Sequence, residues 1–348
     1  MQHESQAPLA PLTTLRLGGP ATTLVTATSS DEVIGAVAAA DAAGQPLLTL
    51  AGGSNVVIAD EGFPGTAVLV RSRGIAVLRD GSGAVRVTVQ SGEPWDAVVA
   101  RCVADGLAGV ECLSGIPGSA GATPIQNVGA YGQEVVETVA SVGVYDRVAG
   151  CRSDLAPADC GFSYRHSRLK DTDRYVVLDV TFTLSAERLS RPVRYPELAA
   201  ALDLQVGERA PLIEVRQAVL GLRRRKGMVI DAGDPDTASV GSFFTNPVLS
   251  PAAFDALVGR AGESPPHWPA GAGRIKVSAA WLIERAGFAR GYGAGRVGIS
   301  TKHTLALTNR GNATTAELLA LAREIRAGVR SAFGVELATE PVLIGVAL

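Results

Sequence analysis

Where apolar residues alternate with polar ones the chain predicts strands, and where apolar runs lie between capping and breaking residues it predicts helices. Residues 31–43 (DEVIGAVAAADAA) read as a helix, with Ser29 and Glu32 placed as a capping box ahead of it and Gly44 and Pro46 ending it. A short strand, Leu47 to Leu50, follows, and a second apolar run, Val56 to Ile58, lies just beyond. Residues 85–89 (VRVTV) and 176–184 (VVLDVTFTL) alternate as half-buried strands. Pro94 to Ala104 reads as a helix with proline in its first turn, and Pro211 to Arg225 as an amphipathic helix with a basic end. Further helices are predicted near 250–259, 278–286 and 314–329, and the tail from Val335 to Val346 as strand. The fold class this implies is α+β, with a boundary just after residue 225 and a separate, smaller domain beyond it.

Three stretches break these rhythms. AGGSN, residues 51–55, is a tight turn between two strands, where backbone N–H groups can converge on an anion; taken alone it is a weak signal, since such turns are common. Residues 114–132, SGIPGSAGATPIQNVGAYG, are too rich in glycine, proline and small side chains for a helix or strand interior, and a loop this long usually has a function. GMVIDAGDPDTAS, ahead of Gly241, reads as a connecting or active-site loop. Two glycine-rich segments can let backbone amides approach one pyrophosphate, but the G-x-G-x-x-G fingerprint after a first strand is absent, so a dinucleotide would be held in a non-Rossmann way.

Composition narrows the class. The chain has 348 residues, 47% hydrophobic and 19% charged, which suits a globular protein of enzyme size with two or three domains. A formal charge of −2 gives no global field for a polyanion, so nucleic-acid binding is disfavoured. Met1 to Leu12 lacks the features of a signal peptide and no run of about eighteen apolar residues suggests a membrane span, which predicts a cytoplasmic protein. Cys102, Cys112, Cys151 and Cys160 form no CxxC pair and read as reduced, packed thiols. His3, His166, His267 and His303 are scattered without ligand spacing, so no metal is expected.

Candidate chemistry sits in four short motifs. Tyr164-Arg165-His166-Ser167 offers an arginine that would, by itself, be a solvated surface charge. RPVRYPE, residues 191–197, puts Tyr195 either in a surface turn or on a mobile lid. GSFFTNP, residues 241–247, holds Ser242 outside any G-x-S-x-G elbow and without a histidine relay, which argues against a serine hydrolase but leaves a hydroxyl able to move a proton. Glu340, ahead of Pro341, is an exposed carboxylate by default.

Taken in order, LAGGSNVVI, SGIPGSAGATPIQNVGAYGQEV, GFSYRHS, GSFFTNP and TEPVLIG resemble the UDP-N-acetylenolpyruvoylglucosamine reductase family nearly end to end, and the RPVRYPEL segment resembles the type with a tyrosine-bearing lid. The resemblance implies a two-subdomain FAD-binding region of the vanillyl-alcohol-oxidase (PCMH) type, residues 1–70 and 71–225, a substrate domain at 226–330, and a strand within 331–348 returning to the FAD region. It further implies non-covalent FAD, lined by Gly52, Gly53, Ser54, Asn55, Gly118, Ser119, Gly121, Ala122, Thr123, Gln126 and Asn127, with backbone amides making most of the anion contacts. NADPH would deliver a hydride in one half-reaction and a UDP-sugar enolpyruvyl ether would receive it in the other, giving ping-pong kinetics. Arg165 would hold the substrate carboxylate, Glu340 in its acid form would donate to the same group, and Ser242 would protonate the α-carbon. Tyr195 and Lys226 would bind the UDP part, with only Lys226 of the run Arg223 to Lys226 facing the site, and Tyr131 and Asn246 would bind substrate. A monomer or weak dimer is expected. Thr14-Leu15-Arg16 departs from the Asn-Thr-Phe more usual in the family. Rival readings are another FAD-linked oxidase on the same scaffold, or a non-enzymatic flavin-binding module.

Overall fold

Local signals are realised with small shifts. Ser29 caps the helix Ser30–Ala42, its side chain accepting the Glu32 N–H at 3.2 Å. The Glu32 carboxylate reaches past Ser29 to the N–H and hydroxyl of Thr28, at 2.7 and 2.9 Å, so the reciprocal half of the box is offset by one residue. Pro94 likewise stands one place earlier than expected, as the N-cap of the helix Trp95–Ala104.

The computed structural model describes residues 1–79, 81, 83–170 and 172–348, which separate into two units, one of residues 1–7, 21–53 and 63–225 and another of 8–20, 54–62 and 226–348. The first unit contains a four-stranded sheet in the order Gln2–Pro8, Pro20–Ala27, Phe63–Val70, Leu47–Leu50, whose last three strands run parallel. Parallel neighbours need crossover connections. Helix Ser30–Ala42 supplies one and buries Val33, Ala36 and Val37 together with Val25, Val68 and Val70. A five-stranded antiparallel sheet follows in the order Cys151–Leu155, Val139–Asp146, Tyr175–Ser185, Ala84–Gln90, Ile75–Arg79. Period-two alternation puts Val85, Val87 and Val89 inside, against Trp95, Val98, Val99 and Cys102 of the helix Trp95–Ala104. Helix Leu212–Arg225 packs beside the short helix Pro196–Ala201 through Leu198, Val215, Val219 and Leu222.

The second unit holds two small antiparallel sheets, one of Ser239–Ser242, Ala306–Asn309 and Val297–Ile299, the other of Val248–Leu249, Ile275–Val277 and His267–Pro269. The helix Thr315–Phe333 packs Leu318, Ala322, Ile325 and Val329 into this unit's core. Asp60 caps that helix, its carboxylate accepting the N–H groups of Thr315 at 2.7 Å and Ala316 at 2.9 Å, where a negative charge also meets the positive end of the helix dipole. The strand predicted over 335–346 shortens to Val342–Ile344, which lies parallel to Val56–Ile58. Val335 and Leu337 are buried as irregular chain instead, because residues 338–340 are tied to 243–245 by a single bridge and two backbone bonds, and make no continuous ladder. Thr14-Leu15-Arg16 has a packing role here. Leu15 is fully buried in the core and its carbonyl accepts Asn309 Nδ2 at 2.9 Å, while the Thr14 hydroxyl donates to the Ser239 carbonyl at 2.6 Å.

All four cysteines are free, but Cys151 is exposed rather than packed, since it begins an edge strand. Burial pushes the thiols of Cys102, to about 12, and Cys160, to about 11, well above the usual range, so both stay protonated and inert.

Candidate active site

In the first unit, the turn containing Gly52 and the loop containing Gly118 meet back to back. A Cβ on Gly52 would stand 2.5 Å from Gly118 Cα, and one on Gly121 would run into the Ser91 side chain, so neither position admits a side chain. Gly53 (φ +58°) and Gly118 (φ +112°) occupy backbone regions that favour glycine. Arg71 Nη1 anchors the turn by donating to the Ala51 carbonyl at 2.7 Å. The loop hangs along residues 91–95: Trp95 N–H donates to Gly118 O at 3.0 Å, Ala120 N–H to Glu93 O at 2.8 Å and Gly121 N–H to Ser91 O at 3.0 Å. The N–H groups of Ala122 and Thr123 close a tight turn on Ser119 O and Ala120 O.

Those four amides are thus engaged within the protein, so of the backbone amides expected to meet an anion, the ones at 120–123 already have partners. What the loop offers is glycine and small side chains, together with the Ser119 hydroxyl. That hydroxyl is buried and has no hydrogen-bond partner among the described residues, a condition a bound phosphate oxygen would relieve. Glycine-rich loops meeting closely at Gly52 and Gly118, with the orphaned Ser119 hydroxyl beside them, fit a pyrophosphate-bearing cofactor. Gly52→Ala is expected to purify with far less flavin, read as the ratio of flavin to protein absorbance; a fully yellow variant would contradict the cradle.

Asn127 is buried at 1% exposure and adopts φ +48°. Its side chain is committed to the protein: Oδ1 accepts Val136 N–H at 3.2 Å, and Nδ2 donates to Glu134 Oε2 at 2.8 Å and to Ser163 O at 3.1 Å. Ser163 and His166 exchange backbone hydrogen bonds, leaving Tyr164 and Arg165 at the tip of a two-residue turn with Arg165 at φ +55°. Arg165 Nη2 donates to Gly129 O at 2.7 Å and the guanidinium lies 5.3 Å from the Tyr164 ring centre.

Tyr131, at φ +50°, meets Tyr195 edge-on with ring centres 5.5 Å apart, and Tyr195 stands 40% exposed as N-cap of the helix Pro196–Ala201. Burial pushes the Tyr131 hydroxyl up to about 12, so it remains a neutral donor. Within the basic helix end Arg224 and Arg225 are exposed, while Arg223 is buried, at only 8% exposure. Burial lowers its pKa, with Tyr131 and Asp96 the nearby groups that favour its charge. On the same pair of helices, Arg216 binds Asp96 through two bonds of 2.6 and 2.9 Å.

In the second unit, Ser242 closes the strand Ser239–Ser242, opposite Ala306, just after an irregularity in register at which Gly241 takes φ +72°. Such a bulge re-aims the following side chain. The buried rings of Phe243 and Phe244 fix the strand end, and Glu340 N–H donates to Phe243 O at 2.9 Å. Ser242 and Glu340 are therefore held one residue apart across this contact. Asn55 flanks them, its carbonyl accepting Val342 N–H at 3.0 Å and its Nδ2 reaching Glu340 O at 3.5 Å. Asn246 Oδ1 accepts the Ala279 N–H at 2.9 Å, fixing the start of the helix Ala279–Arg285. Lys226 is partly buried and opens the last segment of this unit, and Ser54 lies in the unit as well. No group of three or more His, Cys, Asp or Glu that could hold a metal occurs among the described residues, nor does a helix long and apolar enough to cross a membrane.

Two residues escape the motif reading. Gly129 and Glu134, beside Arg165, lie inside GAYGQE, where glycine reads as loop composition and glutamate as a solvated charge; only the Gly-x-x-x-x-Glu spacing of a tight ribbon could have pointed to them.

Residues 21–150 match the family model of an FAD binding domain, and residues 234–344 that of the UDP-N-acetylenolpyruvoylglucosamine reductase C-terminal domain. These matches and the fold define a flavin-dependent oxidoreductase. UDP-N-acetylenolpyruvoylglucosamine reductase of Thermobifida fusca (strain YX) is 58% identical over 347 residues, covering 98% of this chain and 98% of its own. The reductase of Salinispora arenicola (strain CNS-205) is 59% identical over 350 residues, covering 99% and 96%. The crystal structure of UDP-N-acetylenolpyruvylglucosamine reductase (MurB) from Thermus caldophilus has the same fold, with a TM-score of 0.65 at 24% identity over 99% of this chain and 98% of that one. The chain belongs to the UDP-N-acetylenolpyruvoylglucosamine reductase family. Its α+β fold therefore comprises an FAD binding domain and the C-terminal domain of the reductase family.

Proposed function

We infer that the protein reduces the enolpyruvyl group of UDP-N-acetylglucosamine enolpyruvate to give UDP-N-acetylmuramate, with FAD as cofactor and NADPH as hydride donor, in peptidoglycan precursor synthesis. The observation that carries this is near-full-length identity of 58% to a reductase of that name, together with the FAD binding match over 21–150. The chemistry supplied by bound FAD is hydride relay, from NADPH to the vinyl carbon of the substrate.

The chain's own residues then have distinct tasks. Gly52, Gly53, Ser54, Asn55, Gly118, Ser119, Gly121, Ala122 and Thr123 cradle the cofactor, with the Ser119 hydroxyl as a donor to a phosphate oxygen. Gln126 presents backbone from the same loop, and Asn127 holds that loop's shape. Hydride addition to the vinyl carbon pushes negative charge toward the substrate carboxylate, and Arg165 meets it with a permanently charged planar fork. Glu340, as the neutral acid, donates to the same carboxylate. Ser242 gives its proton to the α-carbon, a step open to an ordinary hydroxyl because the carbon is strongly basic. The backbone tie between Glu340 and Phe243, next to Ser242, supports a joint role for these two.

Tyr195 serves as a lid over the UDP part, which its exposure and edge-on contact with Tyr131 support. Tyr131 and Asn246 line the substrate path. Lys226 binds a phosphate shared by NADPH and UDP, so Lys226→Ala is expected to raise KM for both substrates; an unchanged KM for each would remove Lys226 from the site. UDP-sugars and NADPH are cytoplasmic metabolites, which assigns the protein to the cytoplasm. The reaction is tested by incubating the FAD-loaded protein with NADPH and UDP-N-acetylglucosamine enolpyruvate and following NMR signals: loss of the vinyl protons with gain of a lactyl methyl is expected, and persistent vinyl signals would refute the function.

A further inference from the structure

Arg165 reaches its place through contacts made by a neighbouring ribbon. The strands Gly129–Ala130 and Gln133–Glu134 pair with Gly129 opposite Glu134. Arg165 Nη2 rests on the Gly129 carbonyl at 2.7 Å. A Cβ on Gly129 would stand 3.1 Å from Arg165 Nη1 and 2.8 Å from Glu134 Cγ, so the guanidinium and the glutamate stem crowd the same bare Cα. The Glu134 carboxylate accepts Asn127 Nδ2 at 2.8 Å, and that same nitrogen donates to the carbonyl of Ser163, the residue immediately before the Tyr164-Arg165 tip. Glu134's own N–H is held by Glu137 Oε1 at 3.1 Å, which keeps the glutamate backbone from drifting.

We propose that Glu134 is a positioning residue for Arg165: through Asn127 it fixes the base of the turn that carries the arginine, and its stem walls the side of the guanidinium above Gly129. The proposal rests on the reading that Arg165 meets the substrate carboxylate. Two physical points favour it. Arg165 at φ +55° occupies a conformation that a non-glycine residue keeps only where its surroundings enforce it. A charged group stabilises a transition state efficiently only when it is already aimed, because reorienting a flexible arginine during reaction costs the free energy that preorganisation would save. Glycine at 129 is then required because any side chain there would displace either the guanidinium or the glutamate stem.

The test uses FAD-loaded enzyme in single-turnover experiments that separate the two half-reactions. Glu134→Ala is expected to keep its flavin and bleach with NADPH at the wild-type rate, while return of colour on adding the enolpyruvyl substrate slows roughly 10- to 100-fold, the cost of about an ångström of misplacement. Glu134→Gln, which retains the stem and an acceptor for Asn127, should recover most of that loss. Glu134→Ala should add nothing to Arg165→Ala, since a residue acting only through another is silent once that partner is gone. Gly129→Ala should reproduce the Glu134→Ala pattern. Wild-type recolouring in Glu134→Ala, equal slowing of both halves, loss of flavin, or full additivity with Arg165→Ala would each overturn the positioning role. If Arg165→Ala itself recolours normally, the underlying reading of Arg165 falls and this one with it; if Arg165→Ala is slow and Glu134→Ala is not, only the positioning role falls.

Discussion

In Ser242→Ala, bleaching of the flavin by NADPH should proceed close to the wild-type rate, while return of colour with the enolpyruvyl substrate should slow by about 10²–10⁴-fold, the usual contribution of a positioned proton donor. The separation follows from chemistry. Hydride delivery from NADPH needs no proton from Ser242, whereas the second half-reaction leaves a carbanion-like α-carbon that must be protonated. The left-handed Gly241 on one side of Ser242 and the buried Phe243 and Phe244 rings on the other fix the backbone that carries its hydroxyl. Removing one hydroxyl at a strand end should leave the sheet intact. Equal slowing of both halves would mean that the substitution disturbs the flavin or the fold, and Ser242 would lose its role.

Arg165→Ala should weaken the second half-reaction by roughly 3–4 kcal/mol, the scale measured when a preorganised donor to developing negative charge is removed. Arg165→Lys separates charge from shape. A lysine keeps the positive charge but cannot span a carboxylate with two parallel bonds, so the variant should fall between wild type and alanine. Both substitutions should spare NADPH-driven bleaching. A loss below tenfold in Arg165→Ala would contradict the assignment, because a surface arginine in water is worth no more than that.

Much of the fold was open to reading from local pattern. VRVTV alternates because Val85, Val87 and Val89 face one core, and the helix Leu212–Arg225 lies within a residue of its predicted span. Other strands were harder. Val139–Asp146 and Cys151–Leu155 pair with each other and, through Val139–Asp146, with the distant Tyr175–Ser185; CRSDL is too polar to read as a strand alone, and VASVGVYD carries a glycine at its centre. The tail shows the reverse failure, since Val335 and Leu337 alternate into a core without forming a strand.

At the candidate site, residue types were easier to see than geometry. The motifs point to Arg165, Ser242 and Glu340 chiefly through resemblance, because alone Arg165 and Glu340 read as ordinary surface charges and Ser242 only as a hydroxyl able to move a proton. The left-handed backbones of Tyr131 and Arg165 carry no sequence signal, while Asn127 is of a type that tolerates this region and is held there by contacts to Glu134 and Ser163. The burial of Arg223 was hidden for a similar reason. A basic run at a helix end looks solvated until the packing of the helix against Cys112, Val193 and Leu198 turns one face inward.

The central claim, two half-reactions joined by one flavin, is tested most directly by anaerobic stopped-flow absorbance on the purified yellow protein, adding NADPH and then UDP-N-acetylglucosamine enolpyruvate. Bleaching followed by rapid return of the flavin colour is the predicted result; bleaching that only oxygen reverses would contradict it and identify an oxidase acting on another substrate.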